Sequence, residues 1–99
     1  MKALQLHLND NIAVCTVDVK ANDIVEVMTP NGGKFSITAH SDVCYCNKIA
    51  LKPIKNGEPI IKYGEVIGLA TSDIQEGMLA NHDNIASQPR AYKDEYLLT

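Results

Sequence analysis

The chain has 99 residues, of which 45% are hydrophobic and 21% charged, a composition typical of one soluble globular domain. Its net charge of −3 and the scatter of its nine basic residues exclude the basic surface of a nucleic-acid-binding protein. No apolar run approaches the roughly 20 residues that cross a bilayer, and the first residues lack a signal-peptide core. We therefore expect a cytoplasmic protein with no nucleic-acid or membrane partner.

Short strand patterns dominate the chain. The first segment, 4–8, alternates apolar and polar residues, which predicts a half-buried strand before a turn at 9–11. The turn at 29–33, Thr-Pro-Asn-Gly-Gly, is the strongest in the chain and predicts a hairpin. Further strands are predicted at 12–17, 24–28, 34–38, 48–51, 58–62 and 66–70.

Helical signals are scarce. One short window, Ser41–Cys46, allows a single helical turn, because Ser41 could cap it. Residues 87–99 have a different character, since a polar linker leads into Tyr and Leu residues at helical spacing. We expect this tail to dock on a partner or on the chain's own body. The chain is therefore divided into a β domain over 1–86 and a tail over 87–99, with Tyr92, Tyr96, Leu97 and Leu98 as the docking side chains.

A short phrase recurs four times along the chain. Each copy has a turn-forming residue followed by a β-branched residue, and the last two copies add a glycine. This pattern predicts the end of a strand followed by a tight turn. The copies begin at Asp18, Asp42, Pro53 and Asp73.

The three cysteines, Cys15, Cys44 and Cys46, are an odd number, as expected for reduced thiols outside a disulfide framework. Cys44 and Cys46 would face the same side of a strand, which leaves a metal clip open. No second cysteine pair completes a zinc set, so we interpret all three as buried or half-buried thiols without chemistry.

The middle of the chain carries the most specific pattern. Lys48-Ile49-Ala50-Leu51 is followed by Asn56–Gly68, in which Ile61-Lys62-Tyr63-Gly64 precedes a second glycine four residues on. Together with His7 and the 10–14 segment, this pattern resembles the SAF domain of the altronate and galactarate dehydratase family over about residues 4–86.

The resemblance implies a fold and a reaction. The fold would be mainly β, a small β-clip domain of short bent strands with at most one or two helical turns. The reaction would remove water from a sugar acid such as altronate or galactarate, or a group from a related hydroxy acid, with iron or manganese assisting. Most of that machinery belongs to the family's large domain. We therefore expect a separate small subunit, inactive without a large dehydratase subunit that holds most of the metal.

The resemblance also nominates site residues. The family's Gly-His-Lys triplet is replaced by Cys46-Asn47-Lys48, and its His-x-His-Asn by Asn81-His82-Asp83-Asn84. His82 and Asp83 are the candidates for acid–base catalysis and metal ligation, since an imidazole titrates near neutral pH. On an extended segment, however, His82 would face away from its two neighbours. The candidate substrate ligands are Asn47, Lys48, Lys62, Tyr63 and Asn81.

Two other functions stay open. A non-catalytic ligand-binding module of the same fold is favoured by the loss of both histidine features. An oligomerisation domain would use the Tyr-Leu tail to form a homo-oligomer. Metal binding separates the lyase subunit from both alternatives, and self-association without a ligand response would indicate the oligomerisation domain.

Overall fold

The computed structural model describes residues 2–87, which form strands and turns and contain no helix. The prediction of a small, mainly β domain is confirmed. Residues 2–87 accordingly hold no helix of the length and apolarity needed to cross a membrane. Within this range the strands are β1 (Lys2–Leu4), β2 (Ile12–Cys15), β3 (Ile24–Met28), β4 (Lys34–Thr38), β5 (Lys48–Ala50), β6 (Pro59–Lys62), β7 (Glu65–Ala70), β8 (Leu79–Ala80) and β9 (Ile85–Ser87).

The strands form two sheets. Six of them lie in the order β4-β3-β1-β2-β5-β8, and three in the order β6-β7-β9. Neighbouring strands are antiparallel except β1 and β3, which run parallel. The pair β2–β5 lies between two hydrophobic cores. Successive residues on a strand face opposite sides, so these two strands contribute side chains to both cores. Ala13 and Ile49 face one core, whereas Ile12 and Ala50 face the other.

The four-fold phrase forms the same turn four times. In each copy a backbone N–H bonds to the carbonyl three residues earlier, at 2.9 to 3.0 Å. The third residue of each turn has a positive φ, which defines a type II turn and favours glycine or asparagine. The four positive-φ residues are Asn22 (78°), Cys46 (72°), Gly57 (89°) and Gly77 (86°).

The four turns associate in two pairs. Val19 bridges to Val43 in the first pair, and Ile54 bridges to Ile74 in the second. In the first pair each copy also accepts a hydrogen bond from the other. The Asp18 carboxylate accepts from the N–H of Tyr45, and the Asp42 carboxylate accepts from the N–H of Ala21, both at 2.8 Å. The second pair has only one such bond, from the N–H of Asn56 to Asp73, since Pro53 offers no carboxylate in return.

Two predicted local structures are wrong. The strand predicted at 4–8 ends at Leu4, and a loop follows because the Gln5 side chain donates to the Asp10 carbonyl at 3.0 Å. The segment Ser41–Cys46 forms no helical turn but the second copy of the repeated turn, and Ser41 Oγ accepts from the N–H of Leu79 instead.

The cysteine prediction is partly wrong. Cys15 is buried as expected, but Cys44 and Cys46 are exposed and lie on a turn, not on a strand. Strands β8 and β9 were not predicted, because they have only two and three residues. Strand β9 reaches Ser87, one residue beyond the predicted boundary at 86.

The predicted docking of Tyr92, Tyr96, Leu97 and Leu98 concerns residues outside the described part of the chain.

Candidate functional site

A cavity of about 220 Å³ lies where the two sheets meet. Strand pairing explains how it forms: Lys48 at the start of β5 is opposite Ala80 at the end of β8, so the residues after Ala80 emerge beside Lys48. Strands β7 and β9 of the second sheet provide the opposite wall. The lining residues are Lys48, Ile67, Asn81, His82, Ile85 and Ser87. The structure thus brings together three of the predicted site residues, Lys48, Asn81 and His82.

Lys48 is the charged group of this cavity. It is half-buried, and burial is the larger cause of a lowered pKa of its ammonium group. The charge of Lys62 lowers the pKa of Lys48 further. Two cations that act on each other in partly desolvated surroundings create a positive potential, which favours an anionic ligand.

Lys62 itself does not line the cavity. It lies on β6, half-buried, with its Nζ atom 5.4 Å from the centroid of the Tyr63 ring, a cation–π distance. Its role at the cavity is therefore electrostatic, through Lys48.

The Asn81–Asn84 segment is a tight turn and not the extended stretch considered from the sequence. Asn84 Oδ1 accepts from the N–H of Asn81 at 2.8 Å, and Asn81 Oδ1 accepts from the N–H of Asp83 at 3.0 Å. The Asn84 amide nitrogen also donates to the Leu79 carbonyl at 2.8 Å, which ties the turn to β8. Within residues 2–87 the side-chain nitrogen of Asn81 has no acceptor, so it can donate into the cavity that Asn81 lines.

The turn places the side chains of His82 and Asp83 beside each other, because the segment is not extended. His82 Nε2 lies 3.4 Å from Asp83 Oδ1, and the two side chains are 89% and 79% exposed. His82 lines the cavity at its solvent side, whereas Asp83 does not line it. His82 is therefore open both to solvent and to a ligand at the cavity mouth.

The described residues do not provide a complete metal centre. Residues 2–87 contain no group of three or more His, Cys, Asp or Glu side chains arranged around one point. His82 and Asp83 supply two adjacent donors, whereas three protein ligands are usual at catalytic zinc and non-haem iron sites. The donor set of this part of the chain does not fit an iron or manganese ion by itself.

Two predicted substrate ligands lie away from the cavity. Asn47 ends the second turn, where its carbonyl accepts from the N–H of Cys15 at 2.9 Å, and it does not line the cavity. Tyr63 is 64% exposed at the tip of the β6–β7 hairpin. Positive φ values at Tyr63 (58°) and Gly64 (74°) define a two-residue hairpin turn, so these residues have a structural role there.

Sequence reasoning predicted a turn at Asp10 and Asn11 and counted both in the family resemblance, but it missed their role in joining the two sheets. Both are 5% exposed. Asp10 accepts from the backbone N–H groups of His7, Tyr63 and Gly64 at 2.8 to 3.1 Å. Asn11 donates to the Pro59 carbonyl and accepts from the N–H of Ile61, each at 2.8 Å. The partners on the β6–β7 hairpin lie about fifty positions away in sequence, so no local signal could have revealed these contacts.

The Asn11 contacts coincide with an irregularity of the second sheet. The register of the β6–β7 pair shifts between Ile60 and Ile61, as at a β-bulge. The Asn11 side chain forms hydrogen bonds with backbone groups on both sides of this shift, the Pro59 carbonyl and the Ile61 N–H. Asp10 and Asn11 therefore hold the β6–β7 hairpin, which carries Lys62 and Ile67, against the six-stranded sheet.

Comparison with known proteins gives one family. The family model of the altronate/galactarate dehydratase SAF domain matches residues 1–88. Altronate dehydratase of Escherichia coli (strain K12) is 34% identical over 84 residues, which are 85% of this chain and 16% of that protein. The (2R)-sulfolactate sulfo-lyase subunit alpha of Paracoccus pantotrophus is 39% identical over 51 residues, or 52% of this chain and 76% of that subunit. The chain thus aligns with a small part of the first relative and with most of the second.

Proposed function

Because the chain belongs to the altronate/galactarate dehydratase SAF domain family, we propose that it is the small, substrate-positioning part of a lyase that acts on a hydroxy acid. The observation that carries this proposal is the cavity in which Lys48, Asn81 and His82 meet. The reaction class is the elimination of water from a sugar acid, such as altronate or galactarate, or a related elimination from another hydroxy acid.

The chemistry of the cavity suits a hydroxy carboxylate. The Lys48 ammonium, reinforced by the charge of Lys62, attracts the carboxylate. The Asn81 side-chain nitrogen can donate a hydrogen bond to a hydroxyl or a carboxylate oxygen of the same ligand. Ile67 and Ile85 contribute apolar walls beside the carbon chain.

His82 is the proposed acid–base residue. An elimination needs one group that removes a proton and one that protonates the leaving group. His82 lies at the cavity mouth, with its Nε2 atom 3.4 Å from Asp83 Oδ1, so its imidazole can reach a ligand held in the cavity.

A larger partner is part of the proposal. The cavity volume of about 220 Å³ is below the roughly 300–1,000 Å³ of sites that enclose a ligand alone. We therefore infer that a large dehydratase subunit or domain covers the cavity and completes it. One relative is subunit alpha of a sulfo-lyase, a name that describes a multi-subunit enzyme. The iron or manganese would be held mainly by this partner, since residues 2–87 offer too few donors.

Ligand binding to the chain alone tests the cavity. Titration of the 15N-labelled chain with altronate, galactarate and sulfolactate should shift the amide signals of Lys48, Asn81 and His82. Lys48→Met should abolish these shifts. Lys55→Met, at an exposed turn residue outside the cavity, is the matched control and should preserve them. Equal shifts in both variants would refute the assignment of the cavity as the hydroxy-acid site.

Partner capture tests the subunit role. The tagged chain should retain a larger protein, in about equal amount and carrying iron or manganese, when it is purified from cells that naturally produce it. Recovery of the chain alone and without metal would contradict the subunit role. If the chain then still bound a hydroxy acid, the non-catalytic binding module would be the better description, and self-association without any ligand response would indicate the oligomerisation domain.

A further inference from the structure

The second copy of the repeated turn differs chemically from the other three. The first and third residues of the four-residue turn show the difference. In the first, third and fourth copies these residues are Lys20 and Asn22, Lys55 and Gly57, and Gln75 and Gly77. The second copy has Cys44 and Cys46 at these positions. The backbone is the same in all four copies, so the fold does not require the two thiols.

Cys46 occupies a strained position. Its φ of 72° lies in the left-handed region, which only glycine and, to a lesser degree, asparagine adopt readily. The corresponding positions in the other copies have those two residue types. This turn therefore has a cysteine at a position whose backbone conformation favours glycine or asparagine.

Both thiols are available to a ligand. Cys44 and Cys46 are exposed and unoxidised, and as residues i and i+2 of one tight turn they are at most about 7 Å apart between Cα atoms. Tyr45, between them, is also exposed.

We propose that Cys44 and Cys46 form a two-thiolate site for a soft monovalent metal ion, of which Cu(I) is the representative. Thiolates select soft ions over the hard cations that carboxylates and carbonyls prefer. Cu(I) accepts two thiolate ligands without a third, which suits this turn because residues 2–87 hold no cluster of three or more ligating side chains. The site is separate from the hydroxy-acid cavity, which neither cysteine lines.

The binding step needs no oxidant. Two S–H bonds are replaced by two Cu–S bonds, so up to two protons are released for each ion bound, and the copper stays in the monovalent state. Cys15 does not take part, since it is buried in the first core and burial raises its pKa to about 11.

Competition for Cu(I) with the chromophoric chelator bicinchoninate, under argon, tests the site on the full chain. The wild type should remove one equivalent of Cu(I) from the chelator. Cys44→Ser and Cys46→Gly should each weaken binding at least 100-fold. Cys15→Ala, which also has two cysteines left, should bind as the wild type does.

Cys46→Gly also tests the interpretation of the strain. Glycine restores the residue type that the third and fourth copies have, so this variant should melt no lower than the wild type and yet lose the ion. A wild type that does not compete with the chelator would overturn the proposal. Unchanged affinity in Cys46→Gly or Cys44→Ser would overturn it as well.

Discussion

The buried carboxylate of Asp10 accepts a hydrogen bond of 2.8 Å from the backbone N–H of Gly64 at the tip of the β6–β7 hairpin. Asp10 also receives the N–H of Tyr63 at 3.1 Å and that of His7 at 3.0 Å. A single side chain in the loop before β2 thus satisfies three backbone donors, two of them in the other sheet. It thereby sets where the hairpin lies relative to the cavity.

Replacing Asp10 should therefore be costly. Asp10→Ala removes the acceptor of three part-buried hydrogen bonds, and we expect the free energy of unfolding to fall by about 2–4 kcal/mol. The comparison is Asp73→Ala, since Asp73 is exposed and accepts one bond, from the N–H of Asn56 at 2.9 Å. This control should cost about 1 kcal/mol or less. Urea denaturation gives both values, and equal losses would contradict the special role of Asp10.

Two glycines in equivalent turns should respond differently to alanine. Gly57 and Gly77 have φ values of 89° and 86°, so alanine is strained at both, at a cost of about 1–2 kcal/mol. A Cβ on Gly57 would meet no atom within 4 Å. A Cβ on Gly77 would clash with the Thr38 carbonyl oxygen and lie 2.9 Å from the backbone nitrogen of His40.

Gly77→Ala should consequently lose about 1–3 kcal/mol more than Gly57→Ala, because backbone must move to make room. The same urea experiment measures the difference. A similar loss in the two variants would mean that the close approach of residues 38–40 to the fourth turn is not rigid.

The charge of Lys62 should be visible in the titration of Lys48. Removing it with Lys62→Met takes away one of the two causes that lower the pKa of Lys48, so that pKa should rise. Titration of the Lys48 side-chain signals by NMR measures the change. An unchanged pKa would show that burial alone accounts for the lowering.

The same shift determines a pH dependence. A lowered pKa means that the folded chain binds fewer protons than the unfolded chain in the window between the lowered and the ordinary value. Stability should therefore rise with pH across that window, as the half-buried ammonium loses its charge. Hydroxy-acid binding should weaken across the same window, because the carboxylate loses its cationic partner. Binding that is independent of pH there would argue against contact with Lys48.

Two of the three thiols should react quickly with a thiol reagent, and the third should react slowly. Cys44 and Cys46 are exposed, whereas Cys15 is buried and its pKa is raised to about 11, so below that pH it is largely a thiol. At pH 8, dithiobis(nitrobenzoate) should label two groups per native chain at once. The third should react only as fast as the chain unfolds. Cys15→Ala should remove the slow phase alone, and rapid labelling of three groups would show that the first core opens readily.

Local structure was largely predictable from the sequence. Strands β3 and β4 have the predicted bounds, 24–28 and 34–38, because the Thr29–Gly33 turn and the flanking β-branched residues act over a few positions. The repeated phrase correctly predicted four tight turns, since the chain reversal needs only a short hydrogen bond and a residue that tolerates positive φ. The family resemblance nominated Lys48, Asn81 and His82 as site residues, but it did not give their geometry.

The sequence by itself thus determined where the chain turns, which stretches extend and which family the pattern resembles. Only the tertiary structure decided that Lys48 meets Asn81 and His82, that Asn47 and Tyr63 lie elsewhere, and that Asp10 holds a hairpin more than fifty positions away. The physical reason is the distance in sequence over which the interactions act. Turns and strands depend on neighbours within a few residues, whereas these contacts depend on the pairing of β5 with β8 and on how two sheets share the β2–β5 pair, which no local pattern specifies.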